Sequence, residues 1–559
     1  MPVNLARRLL WLSVVVLLIL SSLGGRLYYL QVVENAVWTQ IAHNQRTLSL
    51  PVAGGRGTIY DRNGMPLSDP QPGWGVAAFP PLVQDPPALA RVLSPLVGRP
   101  EEEVLRLLTT GRQPTWLNRQ VSAGVAAKVA AMGLPGTAVG PMGARYGEQA
   151  LARHLVGYVR TDGGVAGLER AFNKELAGEA VPQLVAYLDG NNHPIAGLGI
   201  RQVMPTRGEP AEDIYTTIDG EIQRAVELVL DSYRAPDGGP LRAAAVVVEP
   251  KSGEVLAMAS RPQFNYGSLT GPAGEKTYLW NRAVTAFDPG STFKAIVAAA
   301  ALESGKVHLD DKFYCPGHYE IGGTSFHDSD GTAHGWITFG EAIAKSCNIT
   351  FLQVGYEKLG VDALREAALR FGFGQTTGAL GRDWGEEQAG AVPGPGDPGA
   401  VQISFGQGGT EVTPLQLARA YAAIANGGTL PALRLVTAVK TPAGEVVERP
   451  TAGAAKRVLS RETAAQLAKA LQGVTDPKGG GTGRQAYISG VGSAGKTGSA
   501  EGRDLENRQA VHAWFAGFFP AGRPRYVVVV FVEGGGAGGK VAAPIFREIG
   551  RAILATTGY

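Results

Sequence analysis

The chain opens on an uncharged run, Leu9–Gly25, reading LLWLSVVVLLILSSLGG. As a helix rising ~1.5 Å per residue it reaches about 26 Å, the short end for a membrane-crossing segment. No second apolar run of that length follows. From there to residue 210, short extended stretches alternate with Gly/Pro turns such as Gly54-Gly55-Arg56-Gly57 and Asp61-Arg62-Asn63-Gly64, and helices are predicted over 86–96 and 101–110. The pattern changes near Asp213. Ile222, Ala225, Val226, Val229, Leu230 and Tyr233 recur at helical spacing. Ala243–Glu249 and Glu254–Ala259 read as two strands around Pro250-Lys251-Ser252-Gly253. An apolar helix is predicted over Ser291–Ser304, stopped by Gly305, with further helical stretches across 339–426. Ala513–Phe519 and Tyr526–Val532 read as buried strands, and Pro544 starts a last helix with Ile545, Ile549 and Ile553 on one face. The Gly/Pro-rich stretches 393–399, 479–483 and 534–539 read as loops. Strands at both ends with helices between predict an α+β domain whose sheet closes across its termini. The expected organisation is a tip and anchor over 1–31, a non-catalytic domain over 32–210 and a larger domain over 211–559.

Charge sharpens the reading of the N-terminus. The chain holds 52 basic and 49 acidic residues, and the excess of three equals Arg7, Arg8 and Arg26, in an opening stretch without an acid. The remainder is neutral, so nothing points to a nucleic-acid partner. Arg7 and Arg8 before the apolar run keep the N-terminus cytoplasmic and export the rest. Trp11, Tyr28 and Tyr29 near its ends suit membrane interfaces. A cleaved signal peptide is the alternative, but the run is longer than a typical signal core. Cys315 and Cys347 are the only cysteines, without metal-ligand spacing, and are expected as two buried, unpaired thiols, with a disulfide in an oxidising compartment as the alternative.

Four short patterns could carry chemistry. Ser291-Thr-Phe-Lys294 follows Asp288-Pro289-Gly290 at the predicted helix start. A serine and a lysine three apart share a helix face, and a buried lysine of lowered pKa can serve as the base that a serine nucleophile needs. Ser346-Cys347-Asn348 is uninformative alone. Lys496-Thr497-Gly498 lies before the last strand pair, where lysine and hydroxyl can hold a carboxylate and glycine leaves room for it. Gly490 to Thr497 also fits the nucleotide-binding pattern G-x-x-x-x-G-K-[ST]. That loop must open a helix, whereas Gly498-Ser-Ala-Glu-Gly502 carries two glycines and no apolar period. Arg56, Asp61 and Arg62, beside a turn, are expected to make structural salt bridges.

The ordered set S-x-x-K, S-x-N and K-T-G, at intervals of 55 and 150 residues, resembles the transpeptidase domain of penicillin-binding proteins. Phe287-Asp-Pro-Gly-Ser-Thr-Phe-Lys294, Ser404-Phe-Gly-Gln-Gly408 and Thr413-Pro-Leu-Gln416 resemble the segments around it. Arg56-Gly-Thr-Ile-Tyr-Asp-Arg-Asn-Gly64, Gly167-Leu-Glu169 and Thr217-Ile-Asp219 look like landmarks of the class B members. The resemblance implies an antiparallel sheet flanked by helices on an elongated pedestal domain, behind one transmembrane helix. It implies Ser291 as nucleophile, Lys294 as base and Ser346 as proton relay to Lys496 and the leaving amine. Asn348 would hold the donor amide, Lys496 and Thr497 the terminal carboxylate beside Gly498, and the backbone N–H groups of Ser291 and Ser499 the oxyanion. Stem peptides ending in D-Ala-D-Ala and β-lactams would be its ligands and a membrane-embedded SEDS-type polymerase its partner, with no metal or organic cofactor.

Rivals share this site. A class A β-lactamase would carry a Glu-x-x-Leu-Asn segment, which is absent; a D,D-carboxypeptidase or β-lactam sensor needs no N-terminal domain of this size; and an inactive scaffold would not need all three motifs. No glycosyltransferase-like segment separates the anchor from Arg56, against a bifunctional enzyme.

Overall fold

The computed structural model describes residues 3–35, 38, 46–52, 56–68, 72–143, 150–160, 163–179, 182–191, 193, 195, 198–203, 208–264, 276–451 and 453–558. The uncharged run lies inside one helix, α1 (Val3–Tyr28). An 18-residue window within residues 4–33 has a mean hydropathy of 2.0, and this is the one helix among the described residues long and apolar enough to cross a membrane.

The chain divides into two units, neither continuous in sequence: Met1–Gly55, Pro72–Gly143 and Ala180–Gly208 form the first, and Arg56–Gln71, Ala144–Glu179 and Glu209–Tyr559 the second. In the first, strand Pro72–Ala78 pairs with Thr115–Val121 on one side and Thr137–Gly143 on the other. The helices Pro86–Val97 and Glu101–Thr110 close one face through Leu89, Leu93, Val97, Val104 and Leu108. Asp85 starts the first of them by accepting the N–H of Ala88, with proline at the first helical position. A second sheet, Thr47–Pro51, Gln183–Tyr187 and Ile200–Val203, packs Leu50 and Leu184 with Phe79 and Trp116.

The second unit is built on a five-stranded antiparallel sheet of β1 (Ala243–Val248), β2 (Val255–Arg261), β3 (Ala494–Arg503), β4 (Gln509–Phe519) and β5 (Tyr526–Val532), in the order β2-β1-β5-β4-β3. Ala243 pairs with Val532 and Val248 with Val527, so the sheet closes across the two ends of the domain as the pattern predicts. Side chains alternate across it. Val527, Val529 and Phe531 join a core with α3 (Lys294–Glu303), α6 (Pro414–Ala425) and α7 (Arg461–Thr475). Val528, Val530 and Val532 join a second core with α2 (Gly220–Asp231) and α8 (Ala542–Thr556). Both faces are covered, which is why Tyr526–Val532 is an unbroken apolar run. The last helix begins at Ala542, two residues before the expected Pro544, because proline is tolerated throughout the first turn, where its missing N–H has no intrahelical partner.

The three landmarks along the first half of the chain bond to one another. Arg56 donates to Glu169 at 2.6 Å and to Asn173 at 2.8 Å, with Glu169 fully buried. The buried Asp61 accepts the N–H groups of Asn63, Met65 and Gly220, the last one residue past Thr217-Ile-Asp219. Arg62 pairs with Glu254 at 3.0 Å. Arg56 and Arg62 therefore make the expected salt bridges, whereas Asp61 is structural through backbone N–H groups and not through an ion pair.

Removing one partner of a buried pair strands the other charge. Glu169→Ala should lower unfolding stability by about 3 kcal/mol, read from urea unfolding of the purified protein. A change within error would mean that Arg56 finds compensation elsewhere.

Candidate active site

Asp288-Pro289-Gly290 delivers the chain into a 3-10 turn, Gly290–Phe293, and α3 begins only at Lys294. The expected single α-helix from Ser291 is thus replaced in its first turn by the tighter form. The reason is a close approach: Gly290 has φ +51°, and a Cβ there would lie 3.0 Å from the carbonyl oxygen of Ser499 and from the Cβ of Ala500. In a 3-10 turn residues three apart eclipse, so Ser291 and Lys294 share one side. Two outer segments clamp the turn. Gly290 N–H donates to the carbonyl of Gly406 at 3.0 Å, and the Tyr421 hydroxyl donates to the carbonyl of Thr292 at 2.8 Å. Gly406 belongs to Ser404–Gly408, and Tyr421 to α6, which opens on a capping box of Thr413 and Gln416.

Ser346-Cys347-Asn348 joins α4 (Phe339–Lys345) to α5 (Asn348–Leu352). Ser346 sits at φ +61°, a left-handed conformation uncommon outside glycine and asparagine. This sharp junction turns Ser346 and Asn348 toward the cleft. Cys347 points into the core, as expected for the middle position, and caps α5 by accepting the N–H of Thr350. The fully buried Lys294 Nζ donates to the carbonyl of Ser346 at 2.5 Å and to Asn348 Oδ1 at 2.6 Å, with the Ser346 hydroxyl at 3.3 Å. Asn348 is fixed in turn: its backbone N–H donates to Asp328 at 3.0 Å and its side-chain amide to the carbonyl of His327 at 3.1 Å.

Lys496-Thr497-Gly498 lies on β3, the sheet's edge strand, paired to Ala516, Phe515 and Trp514 of β4. No helix follows Gly490–Thr497, so the nucleotide-loop geometry does not form. Glycine at 498 has a steric cause: a Cβ there would meet the Pro289 carbonyl oxygen at 2.8 Å and the Thr292 methyl at 3.0 Å. Thr497 shares a hydrogen bond with Thr482 at 2.6 Å, and Ser499 Oγ accepts the N–H of Gly538 at 3.1 Å. The expected loops 479–483 and 534–539 thereby reach the site.

A cleft of about 850 Å³ is lined by Ser291, Ser346, Asn348, Thr497 and Ser499. Lys294 and Lys496 lie beneath, fully buried. Burial lowers Lys294 to about 8, against the opposing pull of Asp328. Burial, with Lys294 nearby, holds Lys496 well below the usual lysine range. Two legs of the expected proton path are not hydrogen bonds here. Among the described residues Lys294 bonds Ser346 and Asn348, not the Ser291 hydroxyl, and Lys496 Nζ donates to its neighbour's carbonyl, Thr497 O, at 3.3 Å, not to Ser346. Such contacts often tighten only when substrate binds. Thr482, Arg484 and Lys540 on the cleft wall were not anticipated from the sequence, and Glu501, just past the third motif, lines the same wall. Their only signal was adjacency to the glycine-rich loops and to β3. The sequence reading also passed over Asp328, His334, Cys315 and Cys347 as a group, whose ligand atoms lie within 4.8 Å of one another.

Comparison with known proteins follows this geometry. The penicillin binding protein transpeptidase domain matches residues 243–551, and the penicillin-binding protein dimerisation domain matches 51–208. Stage V sporulation protein D of Bacillus subtilis (strain 168) is 33% identical over 581 residues, covering 100% of this chain and 86% of that protein. The peptidoglycan D,D-transpeptidase FtsI of Escherichia coli (strain K12) is 30% identical over 571 residues, covering 97% and 90%. A solved peptidoglycan synthetase from Bifidobacterium adolescentis ATCC 15703 shares the fold at a TM-score of 0.64 and 24% identity, over 92% of this chain and 97% of that one. With the transpeptidase model spanning the sheet and all three motifs, and the dimerisation model ahead of it, the chain belongs to the class B penicillin-binding proteins.

Proposed function

We propose that this chain is a serine-acylating D,D-transpeptidase that cross-links peptidoglycan stem peptides, anchored by α1 with its catalytic unit outside the cytoplasm. Arg7 and Arg8 on the near side of α1 support that orientation. A SEDS-type polymerase in the same membrane would supply the glycan strands. The observation that carries the reading is the bonding of Lys294. A neutral amine has two hydrogens, and the carbonyl of Ser346 and Oδ1 of Asn348 accept both. The lone pair is then left for a hydroxyl: that of Ser346 stands at 3.3 Å, and that of Ser291 shares this side of the turn.

In the first step Ser291 Oγ attacks the carbonyl carbon of the penultimate D-Ala, and its proton passes to Lys294. Charge develops on the carbonyl oxygen, and the backbone N–H groups of Ser291 and Ser499 would receive it. The C–N bond then breaks, and the departing D-Ala amine takes a proton from Lys294 through the Ser346 hydroxyl. An amine of a second stem peptide attacks the ester, the new amide forms, and Ser291 regains its proton. Lys496, Thr497 and the space over Gly498 would hold the terminal carboxylate, whose charge favours the ammonium form of Lys496. A β-lactam presents the same carboxylate and carbonyl and would trap Ser291 as a stable ester.

Three outcomes test this. Ser291→Ala should abolish covalent labelling by a fluorescent penicillin while the protein keeps its melting temperature, and labelling at an unchanged rate would remove Ser291 as nucleophile. Because the neutral Lys294 amine is the active base, the second-order acylation constant should rise as pH rises and level off above about 8. A profile flat between pH 6 and 8 would exclude that role. Lys496→Ala removes a charge-assisted bond worth about 1.5–3 kcal/mol, so acylation should slow by at least about tenfold, while calorimetry of the parent protein with ATP should give no heat of binding. ATP binding together with acylation indifferent to Lys496 would reverse the assignment of the third motif.

A further inference from the structure

The cleft is charged unevenly along β3. Its lining acids are Asp328, bonded to the backbone of Asn348, and Glu501, four residues along the strand from Thr497. At the Thr497 end the lining comes from two loops instead. Thr482 shares its hydroxyl bond with Thr497 at 2.6 Å, and its backbone N–H donates to the carbonyl of Ala344 in α4 at 3.1 Å. Gly539 packs on both threonines: a Cβ there would lie 2.5 Å from the Thr482 carbonyl oxygen and 3.7 Å from the Thr497 methyl. Arg484 follows Thr482 by two residues and Lys540 follows Gly539 directly, and both line the cleft with exposed side chains. Among the described residues neither side chain makes an ion pair or a hydrogen bond, and no acid lines the cleft from either loop.

We propose that Arg484 and Lys540 form an anion subsite for the acceptor: they take a carboxylate that the incoming stem peptide carries beyond its reacting amine, and so select anionic acceptors over cationic ones. This rests on the transpeptidase reading above and on the direction that reading imposes. With the donor's terminal carboxylate at Lys496 and Thr497 and its carbonyl under the N–H of Ser499, the rest of the donor runs along the edge of β3 toward Glu501. The loops at the other end are therefore left to the second peptide. Release of D-Ala empties the space over Gly498 and beside Thr497, and the acceptor amine enters there, because it replaces the amine that left. Its nitrogen bonds to the ester carbonyl carbon, Ser291 Oγ departs, and the proton that the nitrogen sheds returns to Ser291.

An acceptor whose amine-bearing carbon also carries a carboxylate refills the place of the D-Ala carboxylate at Lys496 and Thr497. Its remaining groups then extend past Thr482 and Gly539, to the two cations. A guanidinium presents paired N–H donors in a fixed fork, and an ammonium adds a mobile point charge, so the two together suit one carboxylate. Both stand on fixed backbone. Arg484 opens the 3-10 turn Arg484–Ala486, behind a bond from the Gly483 N–H to the Val474 carbonyl at 3.0 Å, and Lys540 leads into α8. In the open cleft water screens both charges. A second peptide laid across the loops displaces that water, and the attraction strengthens as the acceptor seats. Selection therefore acts on the second half of the reaction, where the acyl-enzyme divides between cross-linking and hydrolysis.

The test uses the full chain in detergent, acylated by the thioester N-benzoyl-D-alanyl-thioglycolate and then offered meso-diaminopimelate or D-lysine. The two acceptors share the amine, its neighbouring carboxylate and the carbon chain, and differ only in the distal carboxylate. The ratio of aminolysis to hydrolysis, read by chromatography against acceptor concentration, should favour meso-diaminopimelate by at least about tenfold. In the double variant Arg484→Gln, Lys540→Gln that preference should fall to about one, through the acceptor concentration required and not through the maximal rate. Equal aminolysis by the two acceptors in the unaltered chain, none with either, or a preference that survives in the variant would overturn the subsite. Penicillin acylation that falls in the variant as far as aminolysis does would place both cations on the donor's own carboxylate and overturn it as well. If the unaltered chain is acylated by neither the thioester nor penicillin, the transpeptidase reading fails and takes the subsite with it, whereas acylation without acceptor preference removes the subsite alone.

Discussion

Two lysine amines buried in one site are the constraint around which the catalytic unit is arranged. Burial disfavours the ammonium form of each, and Lys294 adds to the cost of charging Lys496. Lys294 can remain there only because the second motif offers it acceptors, the Ser346 carbonyl and Asn348 Oδ1. Those acceptors exist only while Ser346 keeps a left-handed backbone at the end of α4. Lys496 is backed by β3, whose pairing to β4 leaves it at the sheet's edge and facing the nucleophile turn. The turn can approach β3 because positions 290 and 498 lack side chains, so a glycine from each motif sets the spacing between nucleophile and carboxylate site.

Support for this arrangement extends well beyond the cleft. The turn is tied to the Gly406 carbonyl by a backbone bond and to Tyr421 by its hydroxyl, and α6, which carries Tyr421, is packed under the central strands. The paired sets Arg56–Glu169 and Asp61–Gly220 draw the early segments 56–71 and 144–179 into the same unit as the sheet. Motifs that look like independent landmarks along the chain are, in the folded protein, partners in a few bonds.

Much of this was legible in the sequence, and the parts that were not have physical reasons. The two-residue alternation hidden in Tyr526–Val532 could be read only as burial on both sides, and that sufficed to give a central strand. Capping residues Asp85, Asp219, Thr338 and Thr413 announce their helices locally. The opening turn at Ser291 was mistaken for α-helix because the pressure that tightens it comes from β3, about 200 residues away in the chain. Helix α7 and the short hairpins of 312–338 escaped notice, the latter because strands of four residues carry too few positions for a period. The convergence of Cys315, Asp328, His334 and Cys347 follows from strand pairing, which no spacing rule for metal ligands encodes.

The pairing of β1 with β5 has a consequence for how the protein reaches its native state. β5 lies at the centre of the sheet, yet it is synthesised after the sheet's other four strands, while its partner β1 is made some 280 residues earlier. Until Tyr526–Val532 arrives, β1 and β4 each present an unpaired edge, and α3 and α6 have no sheet to cover. The catalytic unit therefore cannot acquire its core progressively as it emerges, and its closure is a late, long-range event of the kind that folds slowly and leaves strand edges open to association.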